Sequence, residues 1–464
     1  MRRRATLAGA ALLGGLLVAP APAGAHGLVG RTDLPIPRWL FAWAAAIVLV
    51  VSFVALATLW PKPRLAGIDE RRLVGYPRVL DPVCGAIGIG LFAVVVYAGL
   101  AGLQEVTANL APTWIFVIFW VGLAFASLVF GDVFRAFNPW RALARMAGRI
   151  LPRRTPLAYP AWLGRWPAVV MIFGFAWLEL VYPEKDVPQT LAILSLAYAA
   201  VQLVGMGVYG IEVWTDRADG FSVYFGLFAR LAPLRWAGGV LVGRPPFVGA
   251  ADLEVLPGTV ALLAVMIGST SFDGFSVGSV WVGSGETDVQ SLFTGIGASV
   301  GTASELANTT GLLVMIGVIA GLFRLGIAGM QSLGGGMTTR ELGGRFVHSL
   351  LPIAAAYVVA HYFSLLAYQG QALGYLASDP FGTGADLLGT AGSSIDYNVV
   401  AANVIWYVQV AALVIGHVAG LVLAHDRALV TYRRSADAIR SQYWMLAVMV
   451  GFTSLGLWIL SSTQ

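Results

Sequence analysis

Residues 112–131 read PTWIFVIFWVGLAFASLVFG. Twenty consecutive positions carry no charged side chain, and at about 1.5 Å per residue a helix of that length spans the roughly 30 Å hydrocarbon core of a bilayer. The run stops at Asp132, and Arg135, Arg141, Arg145 and Arg149 follow. A transmembrane helix that ends in a basic loop is the expectation.

The rest of the chain repeats this alternation. Apolar runs of adequate length lie near 39–60, 81–103, 112–131, 163–182, 188–214, 256–272, 307–330, 346–369, 400–424 and 442–461. The sixth is the shortest, loosened by Gly258 and Gly268. Over 464 residues, 58% are hydrophobic, 11% are charged and the mean hydropathy is +0.77, which no water-soluble globular domain approaches. The fold class expected is therefore all-α: a polytopic membrane bundle of about ten transmembrane helices. The surplus of +5 needs no acidic partner, because loop topology explains it, and nucleic-acid binding is not expected.

Residues 1–25 read as a cleavable signal peptide: Arg2, Arg3 and Arg4, a short apolar stretch, then Ala23-Gly24-Ala25 as the cleavage site. Cleavage would make His26 the first residue of a single membrane domain, 26–464, with N-terminus outside. The charges test this orientation, since lysine and arginine gather in inner loops. Segments 61–80, 132–165, 215–255, 324–345 and 425–441 hold 23 of the 29 basic residues, whereas outer segments hold only Arg31, Arg38 and Lys185. Both ends of the mature chain are thus expected outside. A bacterial plasma (inner) membrane is the expected location, since 27 of the 29 basic residues are arginine. The one cysteine, Cys84, excludes an intrachain disulfide and any cysteine-based metal motif. No repeat at a fixed period, and no pair of interrupted helices of the transporter kind, is visible in the sequence.

Two inner segments, Phe134–Arg149 and Phe221–Trp236, are expected to lie along the inner leaflet. The outer loops 273–306 and 370–399 contain no lysine or arginine but hold Asp273, Glu286, Asp288, Glu305, Asp379, Asp386 and Asp396. Their acidity is either the complement of the inner positive charge or a vestibule that attracts cations.

Ionisable groups within a bilayer are functional candidates by default. His348, His361, His417 and His425 all fall on the eighth and ninth runs or their inner ends. Their depths differ, so a haem or ion bridged by His361 and His417 would require the two helices to be staggered by about 12 Å. Tyr357, Ser364 and Tyr368 share a helical face with His361, which leads to Gln369 and Gln371, and Asn403 lies near the same face on the ninth run. These side chains either fasten neighbouring helices or line a pocket in the outer half. An N-terminal His26 offers ring and α-amine nitrogens to a divalent ion such as copper or zinc, with His361 as a second ligand. Asp33, Asp273 or Asp379 would supply oxygens or orient an imidazole. Glu179 and Glu212, near span ends, are assigned structural roles. No Walker A loop, G-x-S-x-G elbow or H-E-x-x-H motif occurs.

Several stretches resemble a family of bacterial polytopic membrane proteins labelled fenitrothion hydrolase. They are His26–Arg31 with Asp33–Pro37, Phe137-Asn138-Pro139-Trp140-Arg141, Ser271–Phe275, Ala360–Gln371, Ser378–Gly382 and Ser441–Trp458. The resemblance implies a membrane-bound hydrolase of organophosphate (phosphotriester) type with a second membrane subunit as its candidate partner, and supplies no catalytic residues. A metal-bound water would be the nucleophile of such a reaction. The alternatives expected from the residues are a non-enzymatic metal-ion binding or transport protein and a small-solute transporter.

Overall fold

The computed structural model describes residues 38–65, 67, 68, 70–150, 155–278, 280–332 and 336–462. His26, Asp33 and the expected signal peptide lie outside the described residues. Each of the ten apolar stretches is helical, and seven helices among the described residues are long and apolar enough to cross a membrane. An all-α membrane bundle follows, since only helices with internally satisfied backbones, or closed barrels, tolerate hydrocarbon.

In chain order the first half comprises α1 (Arg38–Leu59), β1 (Arg71–Gly75), α2 (Leu80–Ala101), α3 (Leu110–Phe130), α4 (Val133–Phe137), α5 (Pro139–Ile150), α6 (Trp166–Leu180) and α7 (Pro188–Tyr209). The second comprises α8 (Ile211–Arg217), α9 (Gly220–Ala229), β2 (Leu234–Ala237), β3 (Val240–Gly243), α10 (Thr259–Ser276), α11 (Val300–Gln331), α12 (Leu350–Gln369), α13 (Ala402–Thr431) and α14 (Ser435–Ser462). The long helices connect alternately at a basic end and an acidic end. At the basic end sits a small antiparallel sheet of order β1-β3-β2, in which Arg71 pairs with Gly243 and Arg235 with Val242. The sequence reading held no strand; this sheet is assembled from segments some 160 residues apart. Glu70 bonds Arg235 beside it, and that guanidinium holds the Glu70 carboxyl below its ordinary range.

α10, α11, α12, α13 and α14 pack tightly because glycines let backbones approach. A Cβ at Gly416 of α13 would lie 2.3 Å from the Ala356 Cβ and 2.8 Å from the Pro352 carbonyl oxygen of α12. A Cβ at Gly268 of α10 would lie 2.7 Å from the Ile316 Cα of α11. The basic end of α13 anchors the loop after α1: Asp426 Oδ1 accepts from Trp60 Nε1 (3.1 Å) and from the backbone N–H of Arg64 (2.6 Å), while His425 Nε2 meets the Trp60 carbonyl at 3.0 Å. His425, at the inner end of the ninth run, is thus a buried fastener.

Two short helix pairs fold back into the bundle. After α3, Gly131 adopts φ 85°, which only glycine takes without strain. α4 then climbs back alongside α3, bringing the Phe134 ring within 5.3 Å of Phe119, and α5 descends after Asn138. After α7, Gly210 (φ 90°) repeats the turn. α8 climbs beside α7, with Trp214 Nε1 donating to Gln202 Oε1 at 2.8 Å and its ring filling the space at Gly205. α9 returns after Asp219 until Trp236 Nε1 reaches the Phe130 carbonyl at the basic end.

The two apices meet. Asp219 Oδ2 accepts from Asn138 Nδ2 (3.0 Å), Trp140 Nε1 (2.7 Å) and Ser222 Oγ (2.6 Å), and Oδ1 accepts from the Tyr198 hydroxyl (2.6 Å). Tyr198 lies 11 residues before the end of α7, about 16 Å into the helix at 1.5 Å per residue. The expectation that residues 221–236 lie on the leaflet surface is corrected: α9 is buried throughout except at Gly226. Its ten residues are uncharged and apolar all round, the pattern of a helix enclosed by protein. α5 keeps its amphipathic character, but its first turn is buried at the apex. Arg135, Arg141 and Arg145 converge on Glu212 and tie the feet of the two pairs together.

Candidate functional site

α10 opens with apolar residues and turns polar over Ser269-Thr270-Ser271 before Asp273. Helix geometry disposes of these hydroxyls internally: Thr270 Oγ1 donates to the Met266 carbonyl (3.1 Å) and Ser271 Oγ to that of Ile267 (2.8 Å). The Asp273 carboxylate is left to look outward from α10 toward α12. There His361 Nε2 lies 2.9 Å from Asp273 Oδ2, and the Tyr362 hydroxyl donates to the same oxygen at 2.8 Å. The side chains of His361 and Asp273 are 9% and 1% exposed, so the contact is formed away from bulk solvent.

A second carboxylate stands close by. Glu179, in the last turn of α6, is near enough to Asp273 for the two charges to act on each other, and Tyr224 of α9 and Tyr362 feel the Glu179 charge as well. Lys185 reaches back to donate to the Glu179 carbonyl at 2.9 Å. Asp273 of α10 and His361 and Tyr362 of α12 are thus in direct contact toward the acidic end of the bundle, with Glu179 of α6 within electrostatic reach of Asp273, Tyr362 and Tyr224. Low dielectric makes each charge there depend on its neighbours far more than it would in water.

The other expected residues have separate partners. His417 is fully buried, with Nδ1 2.7 Å from the Leu413 carbonyl four residues back, so that ring nitrogen carries the proton. Its Nε2 has no hydrogen-bond partner among the described residues, and the ring packs against Tyr357 and Phe452. His361 and His417 make no paired site, in keeping with their different depths. Ser364 is buried on α12. The Tyr368 hydroxyl donates to the Val400 carbonyl (2.9 Å), and Gln369 Nε2 meets the Tyr397 hydroxyl (3.4 Å). Asn403 is exposed at the start of α13, where its Oδ1 accepts from the Val404 N–H. His348 is buried with Nε2 3.3 Å from the Leu423 carbonyl.

Asp379 closes its own turn: Oδ1 accepts from the Thr383 N–H (2.9 Å) and Oδ2 from that of Gly384 (2.7 Å). Against the upward push of desolvation, these donors hold its carboxyl below the ordinary range. Asp386 is likewise held low, chiefly by the Ser378 hydroxyl at 2.6 Å. Part of the acidic mouth is thus turn architecture. Among the described residues no group of three or more histidine, cysteine, aspartate and glutamate side chains has metal-binding geometry.

Of the residues singled out from sequence, Asp273 and His361 are brought together. Glu179 has only a structural role in the sequence reading, although an acidic residue three short of the end of the 163–182 run is a legible signal, and Tyr362 is not singled out there. Asp219 was missed, and it looks in sequence like any loop aspartate. No family model, no curated protein and no solved structure matches the chain.

Proposed function

We propose that the protein is a ten-span integral membrane protein of the bacterial plasma membrane, both mature ends outside, that binds a small cation at the Asp273–His361 contact, with Glu179 acting on it through its charge, and passes it toward the outer face. The observation that carries this is the buried 2.9 Å Asp273–His361 contact, which lies within electrostatic reach of the Glu179 carboxylate. Two carboxylates and one imidazole away from water carry an excess of negative charge that a proton or a divalent ion of the copper or zinc class offsets. Tyr362 fixes the carboxylate and thereby the face of the imidazole presented. The alternation of basic and acidic loops supports the orientation, and the helical state of all ten stretches supports the count.

The phosphotriester hydrolase reading rests on the same contact. A carboxylate that orients a histidine is the usual support of a metal ligand, and a metal would lower the pKa of a bound water for attack on phosphorus. His26 and Asp33 are its remaining candidate ligands. A second membrane subunit belongs to this reading and not to the first.

Calorimetric titration of the protein in lipid nanodiscs with Zn(II) and with Cu(II), at pH 7.5 and 5.5, tests both. The expected result is one site, weaker at the lower pH, lost in His361→Ala and Asp273→Asn and retained in His417→Ala. No heat with either metal removes the metal readings, and proton uptake after a pH jump, followed with a dye, must then differ between wild type and Asp273→Asn. If it does not, the cation proposal fails. Release of an aryl alcohol from a phosphotriester by the metal-loaded wild type alone would favour the hydrolase.

A further inference from the structure

A cavity of about 830 Å³ lies between α2, α3, α6 and α7, apart from the Asp273–His361 contact. Its volume is in the range of small-molecule sites. It begins near the acidic end at Tyr182 and Thr190, and its far end is closed by Trp140, Tyr198 and Phe221 at the meeting of the two folded-back helix pairs. Its lining along α7 runs from Thr190 to Val201, eleven residues and therefore about 16 Å. That length is close to the ~15 Å of one leaflet's hydrocarbon.

The cavity is a slot open to the side. α6 packs on α9 and α10, α7 packs on α2, and α6 and α7 hardly touch each other. Leu194 and Val201, which line the slot from α7, are 41% and 49% exposed. On the α6 wall a Cβ added at Gly174 would meet no atom within 4 Å. The α3 wall is π-helical over Thr113–Gly122, a geometry that turns Trp114, Ile118 and Phe119 into the slot and one that recurs at binding sites.

We propose that this slot holds one acyl chain of a phospholipid from the leaflet at the acidic end. The lining is almost entirely hydrocarbon and aromatic ring, which excludes a polar solute. The slot runs along the helix axes for one leaflet's depth, which fits an extended chain better than a compact molecule. Its open side faces the spans' lipid-exposed surface, so a chain enters by lateral exchange with no passage through water. The Asp219 apex, with its carboxylate consumed by protein donors, sets the depth at which the chain stops.

The test uses the full-length protein in nanodiscs of phosphatidylcholine carrying a diazirine midway along one acyl chain, irradiated and mapped by peptide mass spectrometry. Adducts at Ser195, Tyr198 and Leu91 should exceed those at Val51 and Val54 on the lipid-exposed face of α1 by at least fivefold. Gly174→Trp and Ser195→Trp should each return the other slot positions to the α1 level while leaving α1 labelling unchanged. Equal labelling of slot and α1 in wild type overturns the proposal, whatever the variants do. So does slot labelling that persists in either tryptophan variant whose thermal unfolding matches wild type.

Discussion

The two halves of this bundle solve the membrane problem in opposite ways. In the α10–α14 half most spans are more enclosed: the apolar windows of α10 and α13 are 78% and 50% buried, against 33% for α2, α3 and α7 in the other half, although α11 is also at 33%. The tight half carries His348, His361, His417, His425 and Asp273, where neighbouring helices fix each polar group in place. The open half is apolar, encloses a slot, and relies on one carboxylate, Asp219, to hold two folded-back helix pairs at their tips. Helix association in lipid gains little from hydrophobicity and depends on close packing and polar contacts. Glycines permit close approach in both halves, at Gly268 and Gly416 in one and at Gly88 and Gly99 of α2 in the other; where helices stand apart around the slot, a polar group becomes the fastening.

The largest effect expected from this contrast is at Asp219. Asp219→Ala leaves Asn138, Trp140, Tyr198 and Ser222 without their common acceptor, and each unsatisfied buried donor costs about 1–3 kcal/mol. Thermal unfolding in detergent should show the open half destabilised or unfolded, with Asp219→Asn intermediate. A melt like that of wild type would show that the apices hold without it.

A pair of alanine substitutions measures the packing difference directly. Gly416→Ala must displace Ala356 or the Pro352 carbonyl and should lower stability by about 1–3 kcal/mol. Gly174→Ala meets nothing and should be neutral or slightly stabilising, because alanine favours the helix by roughly 1 kcal/mol over glycine. Equal effects in the same unfolding assay would show that the α12–α13 seam is no tighter than the wall of the slot.

Within the tight half, Asp273→Asn should destabilise less than Asp219→Ala, because an amide still accepts from Tyr362, while abolishing cation binding. Loss of stability as large as that of Asp219→Ala would make the Asp273–His361 contact a fastening too. The smallest effect belongs to Glu70 outside the membrane. Its carboxyl is depressed by Arg235, so its contribution is complete above the unfolded value of about 4.3 and is lost as pH falls through the lower folded value. Hydrogen exchange of Arg71–Gly75 should therefore quicken, relative to the α2 amides, between pH 5 and 3 in wild type and show no such step in Glu70→Gln.

The folded-back pairs show why part of the architecture escaped a linear reading. Asp132-Val133-Phe134 before Asn138-Pro139-Trp140, and Glu212-Val213-Trp214 before Asp219-Gly220-Phe221, are related patterns, yet their spacings differ by insertions and only five to twelve residues form each helix. α3 and α7 run in the same direction before them, so the two units correspond as a parallel pair, the kind of internal relation that membrane bundles use. Periodicity cannot report helices this short, and an uncharged segment such as 220–229 reads equally as surface-lying or enclosed.

Composition and hydropathy by themselves determined an all-helical membrane bundle and the position of every long helix, because a bilayer imposes length and apolarity on each span independently of its neighbours. The same rule named His361, since an ionisable group within such a span is anomalous, whereas Asp273 reads in the sequence as the first residue of an acidic outer loop and is instead buried in α10. Tertiary structure alone decided that these two touch while His417 stands apart, that Asp219 gathers four donors across two helix pairs, and that α6 and α7 part to leave a slot. Those outcomes depend on which glycine faces which helix and on how far one helix slides along another, and neither is written in the hydropathy of a single span.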